Sequence, residues 1–365
     1  MQSSTFPPSN RASATLQQGP AWNLIQQVKQ QPRYNPKSHP DGLINLSGTI
    51  NNLMADWMSK HAKDYLQFTT SELSYSPLAG SNELLEAAAG FFNRFFHPAD
   101  PVLADHVLAA NGVTSLINII AWVLYNSGDS ILYTTPNFYM LDYNLGVRNN
   151  IITIPISTTS IKCPFNTAGL IPVLDSAIQS HSDISCRMLF LCNPSNPQKG
   201  CYSKETLKAL AAWCAERNMH LVVNKIYTIS TFDNTSFSSI LTIPVRQNMH
   251  CLYSLSKNFN LGSARVSFLV SRNLQIRAAV SKLTSLTVFS DVFVSRFLSQ
   301  LDLVQDYLDT YRPRLAEAYH HTFAGHGHTG CFQLVFTQEP RATELAIQQI
   351  QAAINKLDER KRLDA

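Results

Sequence analysis

The segment from Tyr253 to Val266 reads YSLSKNFNLGSARV. It places Lys257 just after a short apolar run, with hydroxyls at Ser254 and Ser256 and a guanidinium at Arg265. A lysine amine can attack a carbonyl carbon and hold a compound covalently. An arginine fork matches the oxygens of a phosphate, and a serine hydroxyl can join it. An exposed loop lysine beside a surface arginine would read the same way, so this segment alone decides nothing.

Four further segments add to it. Asn111-Gly112-Val113-Thr114 closes a loop and opens a helix, and helix N-termini with small residues bind phosphate through free backbone N–H groups. Asn193-Pro194-Ser195-Asn196-Pro197 follows one apolar run, and Asn224-Lys225-Ile226-Tyr227 follows another. Tyr75 to Leu84, YSPLAGSNEL, precedes a helical pattern.

These residues need a scaffold. Ser130–Thr135, Arg187–Cys192, His220–Val223, Cys251–Tyr253 and Val266–Val270 are short apolar runs without alternation, as in strands buried on both faces. Between two of them, Ser203 is an N-cap candidate, and Leu207, Leu210, Ala211 and Cys214 follow helical spacing until Asn218. Strand, helix, strand in that order predicts a parallel sheet covered on both faces. Helices are also predicted over Trp22–Gln31, Ser81–Phe96 (stopped by Pro98), Thr114–Tyr125, most of Ser281–Tyr319, and Thr343–Arg362. Cys331–Thr337 reads as a strand after the hinge FAGHGHTG.

The 365 residues are 45% hydrophobic and 15% charged, which excludes a disordered chain and permits one large domain with a satellite. With 29 basic against 25 acidic residues, the net charge of +4 is too mild to argue for nucleic acid or a membrane surface. The longest apolar stretch, Val113 to Tyr125, is too short and too polar to span a bilayer, and the N-terminus lacks the apolar core of a secretory signal. The seven scattered cysteines form no CxxC pair and fit reduced thiols in a cytoplasmic enzyme. His320, His321, His326 and His328 lack Cys or carboxylate partners at ligand spacing, so no metal site is expected.

In order and spacing, the five motifs resemble the fold-type I pyridoxal 5'-phosphate (PLP) enzymes, the aminotransferase superfamily. The nearest branch resembles 1-aminocyclopropane-1-carboxylate (ACC) synthase-like enzymes, particularly fungal relatives of biosynthetic pathways. The resemblance runs from about Tyr34 to Tyr319 and resumes at Gly330. It implies an α/β fold: a three-layer PLP-dependent transferase with a mostly parallel central sheet, plus a truncated small α+β domain. Residues 1–20 would be a flexible tail, 21–60 the N-terminal segment of the small domain, 61–300 the large PLP-binding domain, and 301–365 the truncated small C-terminal domain.

The resemblance also assigns roles. Lys257 would bond the cofactor and shuttle the proton. Ser254, Arg265, Gly112, Val113 and Thr114 would hold the phosphate. Phe138, with Tyr139 as its neighbour, would stack on the pyridine ring. Asn196 and Tyr227 would hydrogen-bond the phenolic oxygen, and Asn224 would face the pyridine nitrogen. Tyr75 would reach the phosphate of a second subunit in a homodimer. Gln333 and Asn51 would meet the substrate, an amino acid or amine. The reaction would be transamination or α,β-elimination of the C–S lyase type, or the chain would be a catalytically impaired homologue that serves as a binding or dimer partner.

The chain departs from the family in several places. Asn224, in NKIY, stands where the family has an aspartate whose charge keeps the pyridine nitrogen protonated. The neutral amide could instead donate to an unprotonated nitrogen. Gln333, in GCFQLVF, replaces the arginine that grips the substrate α-carboxylate bidentately. Asn258, Asn260 and Ser267 alter the phosphate-side motif, and NPQKG sets its glycine one place late. Thr49-Ile50-Asn51 replaces alanine-glutamate-asparagine, which speaks against ACC synthase itself. Several tens of residues of the family's small domain are absent between Ala316–Tyr319 and Gly330–Thr337.

Overall fold

A computed structural model describes residues 20–46, 51–65, 69–138, 140–146, 151–231, 237–284, 288–323 and 340–363. Seven strands form one sheet: β1 (Val107–Asn111), β2 (Ser130–Thr135), β3 (Ile152–Ser157), β4 (Cys186–Cys192), β5 (His220–Asn224), β6 (Met249–Ser254) and β7 (Val266–Ser271). Their order across the sheet is β1-β7-β6-β5-β4-β2-β3. Only β7 runs against its neighbours, β1 and β6; all other pairs are parallel.

Side chains alternate across this sheet and build two cores. On one face, Leu108, Tyr133, Phe190, Val222, Leu252 and Leu269 pack with Leu116, Ile117 and Ile120 of the helix Val113–Leu124. On the other, Tyr253 and Phe268 meet Phe91, Phe92 and Phe96 of the helix Asn82–Phe96, with ring centroids 5.5–6.0 Å apart. Edge-on and tilted contacts of this kind suit the aromatic quadrupole. Helix, sheet and helix make the three layers of an α/β fold.

Local signals set the helix starts. Ser81 Oγ accepts from Leu84 N–H, and Ser203 Oγ accepts from Thr206 N–H, so both serines cap as their positions suggest. Two strands and one long helix escape the sequence reading. β3 is an edge strand, alternates in burial and contains Pro155, which an edge tolerates. β1 is a short run between a turn and a glycine. The helix Thr167–Ser180 contains Gly169 and Pro172, both poor helix formers.

The chain divides into two compact units, residues 50–320 and residues 1–49 with 321–365. The first holds the sheet. The second contains the helix Pro20–Gln30, a bridge between Arg33 and Leu43, and the helix Pro340–Leu363. The expected tail, the strand Cys331–Thr337 and the histidine-rich hinge lie outside the described residues. Among the described residues, no helix is long and apolar enough to cross a membrane, six cysteines are free, and no group of side chains could hold a metal.

Candidate active site

Parallel strands put their carboxyl ends on one edge of the sheet, and loops leaving that edge are where α/β proteins bind ligands. Gly112 follows β1, Phe138 follows β2, Asn196 follows β4, Asn224 ends β5, and Lys257 follows β6. Arg265 precedes the antiparallel β7 and reaches the same edge, because Asn111 pairs with Val266 and Ser254 with Ser267.

The phosphate end is built around Gly112. It sits at the N-cap of the helix Val113–Leu124 with φ +80°, and no side chain caps that terminus. The first N–H groups of the helix, Val113 and Thr114 among them, lack intrahelical partners and attract an anion. A Cβ at Gly112 would overlap the Arg265 guanidinium, so glycine is what lets the arginine lie against the helix N-terminus. Arg265 holds a left-handed backbone at φ 54°, an unusual state for a side chain of its size, and donates to Gly262 O at 3.2 Å. No ion pair joins it to a carboxylate among the described residues. The arginine and the open helix N-terminus suit an anion.

Lys257 lies in the single turn Leu255–Asn258 and is half-buried. Burial lowers the pKa of its amine, and the charge of Arg265 lowers it further. A larger fraction is therefore neutral and nucleophilic than for an exposed lysine. Ser254 is buried and works inside the turn: its Oγ accepts from Ser256 N–H at 3.2 Å and lies 2.9 Å from Ser256 Oγ and 3.1 Å from Val266 O. Ser256, half-buried and next to Lys257, is the hydroxyl the sequence reading left without a role. The repeated serine was the available signal.

The next residue, Asn258, is a buried hub. Its Oδ1 accepts from Tyr253 OH at 3.2 Å and its Nδ2 donates to Ser230 Oγ at 2.6 Å. Its carbonyl accepts from Tyr307 OH at 2.6 Å and from Asn51 Nδ2 at 3.1 Å. Asn51 therefore stands beside the lysine turn, with its own Oδ1 buried and unpartnered. Asn196 Nδ2 donates to Tyr227 OH at 3.1 Å, joining the two residues that the resemblance placed on one oxygen.

Asn224 and Lys225 are neighbours that face opposite ways. Asn224 is buried beside Cys192, with Nδ2 3.8 Å from the sulfur and Oδ1 unpartnered. Lys225 is buried on the other side, 2.6 Å from Ser239 Oγ and over the Phe96 ring, and burial pushes its pKa down to about 8. Phe138 is half-buried, and its N–H donates to Asn137 Oδ1 at 2.8 Å. Tyr75 is not brought to this edge; it is fully exposed beside an open cavity that Glu72, Asp291 and Arg296 also line. Tyr139 and Gln333 lie outside the described residues.

A lysine, an arginine against an open helix N-terminus and a buried amide gather on one sheet edge of an α/β protein, an arrangement that suits a phosphorylated carbonyl compound. The chain belongs to the aminotransferase class I and II family, whose model matches residues 43–330. It is 27% identical over 314 residues to 1-aminocyclopropane-1-carboxylate synthase 6 of Oryza sativa subsp. japonica, covering 79% of this chain and 57% of that protein. It is 30% identical over 222 residues to aminotransferase verI of Clonostachys rogersoniana, covering 60% of this chain and 51% of that one. The chain thus spans little more than half the length of these relatives. The fold matches aspartate aminotransferase from Thermus thermophilus with maleate at a TM-score of 0.64 and 16% identity, over 87% of this chain and 77% of that one. The family depends on PLP, and the residues present fit it. Gly112 leaves the space in which the Arg265 guanidinium lies against the helix N-terminus, and the unpartnered Asn224 Oδ1 is a buried acceptor at the same edge.

Proposed function

We propose that this chain is a PLP-dependent enzyme of the aminotransferase or lyase type, acting on an amino acid or amine. The observation that carries the reading is Lys257, half-buried with a lowered pKa, on the same hairpin as an arginine laid against an uncapped helix N-terminus. PLP, when bound, supplies a ring that stabilises negative charge at the substrate α-carbon. Lys257 Nζ would hold the cofactor by its carbonyl carbon, and its free amine would be the base for the substrate α-proton. Arg265, Ser256 and the N–H groups of Val113 and Thr114 hold the phosphate, with Ser254 keeping Ser256 in place. Phe138 flanks the ring. Tyr227, oriented by Asn196, donates to the phenolic oxygen. Asn51, fixed to the lysine turn, and Gln333 meet the substrate. Transamination and α,β-elimination share the first proton transfer and diverge after it.

The full exposure of Tyr75 supports a homodimer in which that ring reaches the partner's phosphate. A second reading, a chain that binds PLP without turning over, is favoured by the neutral Asn224. One experiment separates them. The purified chain is given PLP, reduced with borohydride and mapped by peptide, then the unreduced protein is followed by absorbance as amino acids and amines are added. A label on Lys257 with spectral change on substrate supports the enzyme. A label with no change for any amine supports the second reading, and no label at Lys257 overturns both.

A further inference from the structure

The two ends of the Asn224 amide have different fates, and a chain of bonds decides which end is which. The chain starts at Asn137, after β2. Its Nδ2 donates to Thr134 O at 3.1 Å, while its Oδ1 accepts from Phe138 N–H at 2.8 Å. Turning this amide round would break both bonds, so an oxygen is what it presents to Cys192. The Cys192 thiol lies 3.5 Å from that oxygen and donates to it. Burial pushes the thiol up to about 12, so it keeps its proton. With that single proton committed, the sulfur can only accept from its other neighbour, and Asn224 Nδ2 is the atom that faces it. Asn224 Oδ1 is left buried with no partner.

From this relay we infer that Asn224 is a hydrogen-bond acceptor toward the cofactor, and that the group it takes is a ring N–H, the pyridine nitrogen in its protonated form. The inference rests on the reading that the chain binds PLP. It reverses the expectation that a neutral amide here would donate to an unprotonated nitrogen. An unprotonated nitrogen would set its lone pair against a buried carbonyl oxygen, two acceptors face to face. To donate instead, the amide would have to turn its oxygen onto a sulfur whose proton is already given away. The proton on the ring comes from solvent. An amide oxygen holds it less firmly than a carboxylate would, so the ring should lose it at lower pH than in an Asn224→Asp variant.

The test is ¹⁵N NMR of the full chain loaded with PLP labelled at the ring nitrogen, followed from pH 6 upward. A shift in the protonated range at neutral pH is expected, moving to the unprotonated range at lower pH than in Asn224→Asp. Cys192→Ser, whose hydroxyl can also donate to Asn137 and accept from Asn224, should keep the protonated signal. Cys192→Ala, which releases the amide to turn, should lose it. An unprotonated shift in the unaltered chain at neutral pH overturns the inference while leaving PLP binding intact. A signal of free cofactor only would instead overturn the underlying reading, so the two failures are distinct. The unaltered chain decides the matter even where a variant does not fold.

Discussion

Asn258 Nδ2 donates to Ser230 Oγ at 2.6 Å and so ties the turn that carries Lys257 to the turn that follows Tyr227. Ser230 N–H also donates to Tyr227 O at 3.0 Å. Asn258→Leu keeps the bulk but leaves the Tyr253 hydroxyl unmatched, while Ser230 Oγ keeps Tyr311 OH at 2.9 Å. One unmatched buried group costs about 1–3 kcal/mol, and a loss of that size is expected. Urea unfolding would measure it. A change inside experimental error would mean that water or neighbouring groups replace the amide.

Gly112→Ala places a methyl where the Arg265 guanidinium lies and forces a side chain onto φ +80°. The arginine must leave the helix N-terminus. PLP affinity should fall about tenfold or more, roughly 1.4 kcal/mol, with the fold retained. Equilibrium titration followed by absorbance would show it. Unchanged affinity would remove Gly112 and Arg265 from the phosphate site.

Gln333→Arg should improve recognition of α-carboxylates. An arginine grips a carboxylate through two charged hydrogen bonds, whereas glutamine offers one neutral NH₂ group. KM for α-amino acids should drop roughly tenfold, about 1.4 kcal/mol of binding, with no change for amines lacking the carboxylate. Equal effects on both classes would place position 333 away from that group.

The opposite end of the sheet carries a pH liability. His220 Nδ1 lies 3.0 Å from His250 Nε2, and His250 Nδ1 lies 2.9 Å from Ser271 Oγ. Burial is the main cause that pushes them down to about 4 and about 3, with Arg187 adding to it for His220 and His220 for His250. In the unfolded chain both titrate near 6.5. Below that value the unfolded state binds more protons than the folded one, so stability falls as pH drops from about 6.5 toward 4. His250→Gln should flatten this slope in urea unfolding series. Parallel slopes for the two proteins would clear the pair of responsibility.

Much of this molecule is legible along the chain. Ser81 and Ser203 announce helix starts, and the unbroken apolar runs announce five of the seven strands, because buried parallel strands have no polar face to alternate. The edge strand β3 alternates and carries a proline, and the helix with Gly169 and Pro172 is held by packing against its propensity. Lys257, Arg265 and Gly112 are singled out by the family resemblance that their motifs carry. The relay Asn137–Cys192–Asn224 does not, since it joins the ends of β2, β4 and β5, which only the sheet order brings together. The same holds for Asn258, whose partners lie on four separate segments.

β6 and β7 form one hairpin, with Ser254 opposite Ser267, and that hairpin carries Lys257 and Arg265 between its strands. Asn224 ends β5 and Asn196 follows β4 instead. The proposed attachment and the proposed ring partners therefore lie on different parts of the chain. On the proposed roles, a substitution at Asn224 leaves the segment that carries Lys257 and Arg265 unchanged, so the electronics of a bound ring could be altered without altering its attachment.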